Sequence, residues 1–129
     1  MAQRPIEMIQ ARSLAASLTT ACFLVDSTGT LVFFNQAAGE LLGLDFEEAG
    51  PMDPGTWGTK FRPRNPGGEE LAVDELPLTI ALRAGRPATA RMEITSADGR
   101  EQLIDVSALP IARESIQHGA IAIFWPVRE

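Results

Sequence analysis

Residues 23–43, "FLVDSTGTLVFFNQAAGELLG", constrain the fold more tightly than any other stretch, because the backbone must change character twice in a short length of chain. "CFLVD" and "TLVFF" are rich in the β-branched and aromatic residues that suit strands. Between them "DSTG" supplies an acceptor side chain and a glycine for a reversal, which predicts a β-hairpin. Asn35 then stands where a helix needs its first amides satisfied. "QAAGELLG" follows, with Ala38, Leu41 and Leu42 at helical spacing and Gly43 as a left-handed stop.

The flanking segments extend the pattern. Residues 3–20 contain no glycine, and Pro5 sits where a first helical turn tolerates proline, so a helix is expected there. Its apolar stripe is Ile6, Met8, Ile9, Leu14 and Leu18, and a lone helix of this length needs a surface to lie against. "DFEE" at 45–48 reads as a capped helical turn. Residues 50–68 are dense in proline and glycine, which predicts an irregular segment with brief turns. Asp74 is expected to cap "ELPLTIALRAG", with Pro77 in the first turn, Gly85 as the stop, and Leu76, Ile80, Ala81 and one of Leu78 and Leu82 buried.

The last third reads as strands. "TARMEIT" at 89–95 alternates, Asp98–Gly99 is a two-residue hairpin signal, and "QLIDVSALP" and "GAIAIFW" give two further strands joined through "IARESIQH". The final strand is two-sided. Ile121, Ile123 and Trp125 point one way and Ala120, Ala122 and Phe124 the other, so both faces call for a cover. The N-terminal helix, or a second copy of the chain, is the expected cover for the Ile121, Ile123 and Trp125 side, which makes Ile6, Ile9, Leu14 and Leu18 the matching helix residues.

Composition narrows the function. A net charge of −6 repels phosphate backbones, which argues against a nucleic-acid partner. No apolar run approaches the ~20 residues that span a bilayer, and no secretory leader is seen, so the expectation is a cytoplasmic protein with no membrane association. Cys22 has no partner for an internal disulfide, in keeping with a reducing compartment.

Taken in order, "FLVDSTGTLVFFNQAAGELLG", "ELPLTIALRAGRP", "ADGREQLIDVSALPI" and "HGAIAIFWPV" resemble a PAS domain over residues 21–127, preceded by a helical segment at 1–20. The resemblance implies an α+β fold: a five-stranded antiparallel sheet with short helices on one face and an N-terminal amphipathic helix on the other. It also implies a pocket for sensing a small molecule, and dimerisation through the helix before the first strand. On that analogy Ala120 and Ala122 face the pocket, and Met52, Trp57, Ile80, Met92 and Phe124 line a mainly apolar ligand site; the alternative is that these side chains simply fill the core.

The family's usual cofactors are argued against residue by residue. Haem-binding members carry a histidine on or near the long helix, but 74–85 has none, and His118 beside Gly119 reads as a solvated turn residue. Flavin-linked members place a cysteine on a helix, whereas Cys22 opens a strand and reads as a buried filler. No metal-ligand spacing appears. Lys60, Arg62 and Arg64 in "KFRPR" read as a solvated loop, with an anionic ligand group or an acidic partner surface as the alternative. Asp26 is assigned to turn formation and Asp105 to a polar position beside an exposed edge, so no catalytic constellation emerges and an enzyme is not expected.

The expected function is a sensory or regulatory module, a homodimer that binds a small apolar molecule or a signalling protein partner. A ligand-free interaction module is the alternative, and a small enzyme is a distant third. Sensory PAS domains often leave the last strand through an Asp-Ile-Thr-like exit, where this chain has "WPVRE" with Pro126 in the Asp position. Output would then be made in trans or by further parts of a longer protein.

Overall fold

The computed structural model describes residues 6–127. In chain order these form α1 (Ile6–Ser17), β1 (Ala21–Asp26), β2 (Leu31–Phe34), α2 (Gln36–Leu42), α3 (Phe46–Ala49), α4 (Pro54–Lys60), a 3-10 turn (Val73–Glu75), α5 (Pro77–Ala84), β3 (Ala88–Thr95), β4 (Glu101–Arg113) and β5 (Ile116–Pro126). The five strands make one antiparallel sheet of order β2-β1-β5-β4-β3. This is the α+β arrangement expected, with α1 on one face and the later helices on the other.

The opening hairpin is built as its residues dictate. Asp26 Oδ1 accepts from the amides of Thr28 at 2.9 Å and Thr30 at 3.1 Å, and Gly29 takes the left-handed conformation at φ 85°. Asn35 does more than cap α2. Its Oδ1 accepts from the Ala38 amide at 3.0 Å and the Cys22 amide at 3.1 Å, while its Nδ2 donates to the carbonyls of Ala15, Leu18 and Thr20. One buried amide thus ties the end of α1, the start of β1 and the start of α2.

Several local expectations change. The proline- and glycine-rich middle contains a seven-residue helix, α4, because Asp53 accepts from the Thr56 amide at 2.8 Å and Pro54 sits in its first turn. Asp74 does not cap α5: it lies in the 3-10 turn and pairs with Arg83 at 2.6 Å, while Leu76 precedes Pro77 with no capping side chain. Asp98–Gly99 belongs to a three-residue loop closed by the Ser96 amide donating to Arg100 O at 2.8 Å, with Gly99 alone at positive φ. "IARESIQH" is mostly strand, reversing through Glu114 and Ser115 at φ 52° and 69°.

Both sheet edges are partly closed by isolated bridges, Leu31 to Met52 beside β2 and Arg64 to Glu93 beside β3. The second bridge corrects the reading of "KFRPR" at Arg64, which is buried rather than solvated, its Nη1 donating to Arg62 O at 2.8 Å and Thr95 Oγ1 at 3.2 Å. Asp105 stands beside the edge strand β3, as its polar position suggested. It lies on β4, second from the edge, and holds Arg91 of β3 through two hydrogen bonds of 2.9 and 3.1 Å, an interaction that draws its carboxyl below the usual range against a smaller desolvation effect.

α1 lies across β1, β5, β2 and β4, on Met8 and Leu18 of the expected stripe but not on Ile6, Ile9 or Leu14. Met8 and Ala15 are buried, with Ala11 and Leu18 beside them partly so, and Ile6, Ile9 and Leu14 face outward, each more than half exposed. The cover is also incomplete. Ile121 and Ile123 are half-buried and Trp125 is 42% exposed, so the helix shelters only part of the outer sheet face.

Candidate functional site: an apolar cavity between sheet and helices

The inner face of the sheet is lined by alternate residues of every strand: Phe23 and Val25, Phe34, Met92 and Ile94, Ile104 and Val106, Ala122 and Phe124. Phe23 packs edge-on against Phe124 at 5.3 Å, and Phe34 edge-on against Phe46 at 5.2 Å. Above this layer sit Leu42 of α2, Trp57 of α4, Phe61 at its end, and Leu76 and Leu78 around the start of α5. Trp57 is fixed by its indole N–H, which donates to Gly29 O at 2.8 Å and anchors α4 to the β1–β2 turn.

These groups do not fill the space between them. A cavity of about 80 Å³ remains, walled almost wholly by carbon: Phe23, Leu42, Trp57, Phe61, Pro63, Leu76, Pro77, Leu78, Met92, Ile94, Ile104, Val106, Ala122 and Phe124. Its size is well below the roughly 300 Å³ at which drug-sized ligand pockets begin, and its lining offers a water none of the polar partners an ordered water needs. As folded it suits a small apolar group. A larger guest would have to displace side chains, and Met92 is the most adaptable of them.

Of the site residues expected from sequence, Trp57, Met92, Ala122 and Phe124 meet in this lining. Met52, Ile80 and Ala120 do not. Met52 is occupied at the β2 edge, exchanging backbone hydrogen bonds of 2.7 and 3.1 Å with Leu31. Ile80 is half-buried on the far side of α5 from Leu78, and Ala120 is buried in the same core outside the lining. Phe23, Ile104 and Val106 went unassigned, although the period-2 pattern of "CFLV" and "LIDVS" carried their signal.

Among the described residues, no titratable side chain lines the cavity. Cys22 points the other way, its Sγ 3.8 Å from Ala15 O under α1, and burial pushes its thiol up to about 11, so it is a protonated filler at neutral pH. His118 is not a turn residue: it lies within β5 on the α1 side, its Nε2 3.6 Å from Glu7 Oε1. No cluster of three or more metal-ligating side chains occurs among the described residues. No described helix is long and apolar enough to cross a membrane.

An antiparallel sheet of this order, with helices over one face and an apolar hollow beneath them, defines a small α+β architecture. Comparison with solved structures makes it specific: the chain has the PAS-domain fold. It is similar to the PAS domain of Bordetella pertussis BvgS, at 15% identity and TM-score 0.63 over 95% of this chain and 87% of that one. It is similar also to the PAS domain of an HTR-like protein from Haloarcula marismortui, at 16% and 0.62 over 92% and 90%. The Rhodobacter sphaeroides LOV protein superposes with TM-score 0.74 at 16% identity, over 97% of this chain and 70% of that one. No family model and no curated protein matches the sequence.

Proposed function

We propose that this chain is a sensory or regulatory PAS module, a homodimer that takes a small apolar molecule into the cavity and signals in trans through its sheet and α1. The observation that supports this reading is that the cavity and the helix share strands one residue thick. On β1, Phe23 faces the cavity while Leu24 packs under α1; on β5, Ala122 faces the cavity while Ile121 packs beside Met8. A guest that displaces the inner side chains shifts the surface on which α1 rests, and so the balance between two placements of that helix. Ile6, Ile9 and Leu14, exposed on the outer side of α1, and Trp125 beyond its cover supply an apolar surface for a second copy.

Native mass spectrometry and solvent extraction of the purified protein test the proposal. A stoichiometric small molecule supports it. Protein that carries nothing, and whose cavity can be filled by Ala122→Leu with no effect on self-association, would sink the sensing half. The small volume of the cavity favours the second reading, a ligand-free association module that uses the same outer surface. Ile9→Ala or Trp125→Ala should weaken a dimer in sedimentation, and a dimer indifferent to both would remove that surface from either reading. Catalysis has the least support, since the lining holds neither nucleophile nor base.

A further inference from the structure

Two neighbouring contacts hold the N-terminal end of α1 on the sheet. Met8 is seated on Gly119: a methyl group there would stand 2.8 Å from Met8 Sδ and 2.2 Å from Val25 O, so only a residue without a side chain permits the approach. One position away, Glu7 faces two groups of the β4–β5 hairpin. Its Oε2 accepts from Arg113 Nη1 at 3.3 Å, and its Oε1 lies 3.6 Å from His118 Nε2. Glu7 and His118 are each 19% exposed, whereas Arg113 is 67% exposed.

The backbone aims the histidine. The ladder pairs Ile111 with Gly119 and Ala112 with Gln117, which leaves His118 as the extra residue of a β-bulge. In a regular strand His118 would share the inner face with Ala120 and Ala122. The bulge instead lets Gln117 reach α5 at Gly85 while His118 turns to α1. Among the described residues, the charged groups within ion-pair distance are Glu7 from α1 and, through Glu7, Arg113 from β4. Asp26 of β1, opposite Gly119, turns its carboxylate into its own hairpin on Thr28 and Thr30. The Glu7 carboxyl is held below its usual range first by its own backbone amide and, against desolvation, by Arg113 and His118, so it stays an anion across neutral pH.

We propose that Glu7 and His118 form a proton-operated latch, which fastens α1 to the β4–β5 hairpin when His118 is protonated and loosens it when His118 is neutral. A neutral imidazole at 3.6 Å gives Glu7 little. An imidazolium gives the carboxylate a second cation on its free oxygen, and the exposed Arg113 is screened enough to oppose it only weakly. The grip of the helix therefore tightens as pH falls through the range in which histidines take up a proton, and slackens as pH rises.

Hydrogen exchange of the α1 amides in the whole chain, corrected for intrinsic rates, at about pH 5.5 and about pH 8 tests the latch. The expected result is roughly two- to fivefold more protection at the lower pH, the range an ion pair of this exposure gives. That difference should vanish in both Glu7→Gln and His118→Asn and persist in Arg113→Gln. If one of the first two fails to fold, the other carries the comparison. Equal protection at the two pH values in the unaltered chain, or a difference that survives His118→Asn, overturns the proposal.

Discussion

Phe124 and Trp125 are neighbours on β5 and opposites in environment, 5% and 42% exposed respectively. The contrast holds for the two faces of the sheet. Inside, every strand contributes to one continuous apolar cluster sealed by α2, α4 and α5. Outside, Met8, Leu24 and Val32 form a small separate cluster under α1, and the rest of the face is half-open. Burial of the inner face supplies most of the driving force for folding, while the outer face is held by few groups and is free to exchange one neighbour for another. Phe124→Ala and Trp125→Ala break or sharpen this directly. The first should lower stability by about 3–5 kcal/mol in a denaturant melt, as emptying a packed aromatic site does, and the second by under about 1 kcal/mol, near the range of surface changes. Comparable losses would mean that the outer face is a core in its own right.

Asn35 is where the two regions are tied together, and it gives the next largest effect. Replacing it by alanine removes the side-chain acceptor from the Cys22 and Ala38 amides and the amide donor from the carbonyls of Ala15, Leu18 and Thr20, of which Ala15 keeps the Leu18 amide, in a buried site. A loss of about 2–3 kcal/mol is expected. The signature is its distribution: amide exchange should rise together in the last turn of α1 and the first turn of α2, while β3 and β4 stay protected. Uniform loosening across the sheet would show that α1 and the inner layer are one cooperative unit rather than two joined regions.

Legibility in the sequence follows the same division. Asp26, Gly43, Gly85 and the capping half of Asn35 act on backbone groups within a few residues of themselves, so these roles could be read directly. The antiparallel sheet came from the resemblance of the whole pattern to a PAS domain, and the long reach of Asn35 to Ala15, Leu18 and Thr20 had no local signal. Nor could the seating of α1 be read directly. Its apolar residues lie on all sides, and the row that faces the sheet, Met8, Ala11 and Ala15, is chosen by what the sheet presents, above all the bare backbone of Gly119. The cavity was half legible for a similar reason. Large side chains at strand positions, such as Met92 and Phe124, declared themselves, but Ile80 was placed on the wrong side of α5. It stands about 200° round the helix from Leu78, and only the packing of α5 on β3, β4 and β5 decides which side is inner. His118 was misplaced because a bulge has no signature in the residues that form it.

The β4–β5 turn gives the smallest expected effect and the finest test of whether the outer hairpin is under strain of its own. Glu114 and Ser115 both sit in the left-handed region, at φ 52° and 69°, which side chains other than glycine and asparagine adopt reluctantly. Two-residue reversals of this kind favour Asn-Gly, and neither position carries the signal, which is why the sequence read as a longer connection. Glu114→Asn with Ser115→Gly should therefore stabilise the chain, by about 0.5–1 kcal/mol in a denaturant melt. The gain should appear as slower exchange at Arg113 and Ile116, the last pair of the ladder, with no change at Phe23 or Phe124. If the substitution instead destabilises, the side chains of Glu114 and Ser115 support the hairpin in a way their backbone angles conceal, and the outer face is more firmly built than its exposure suggests.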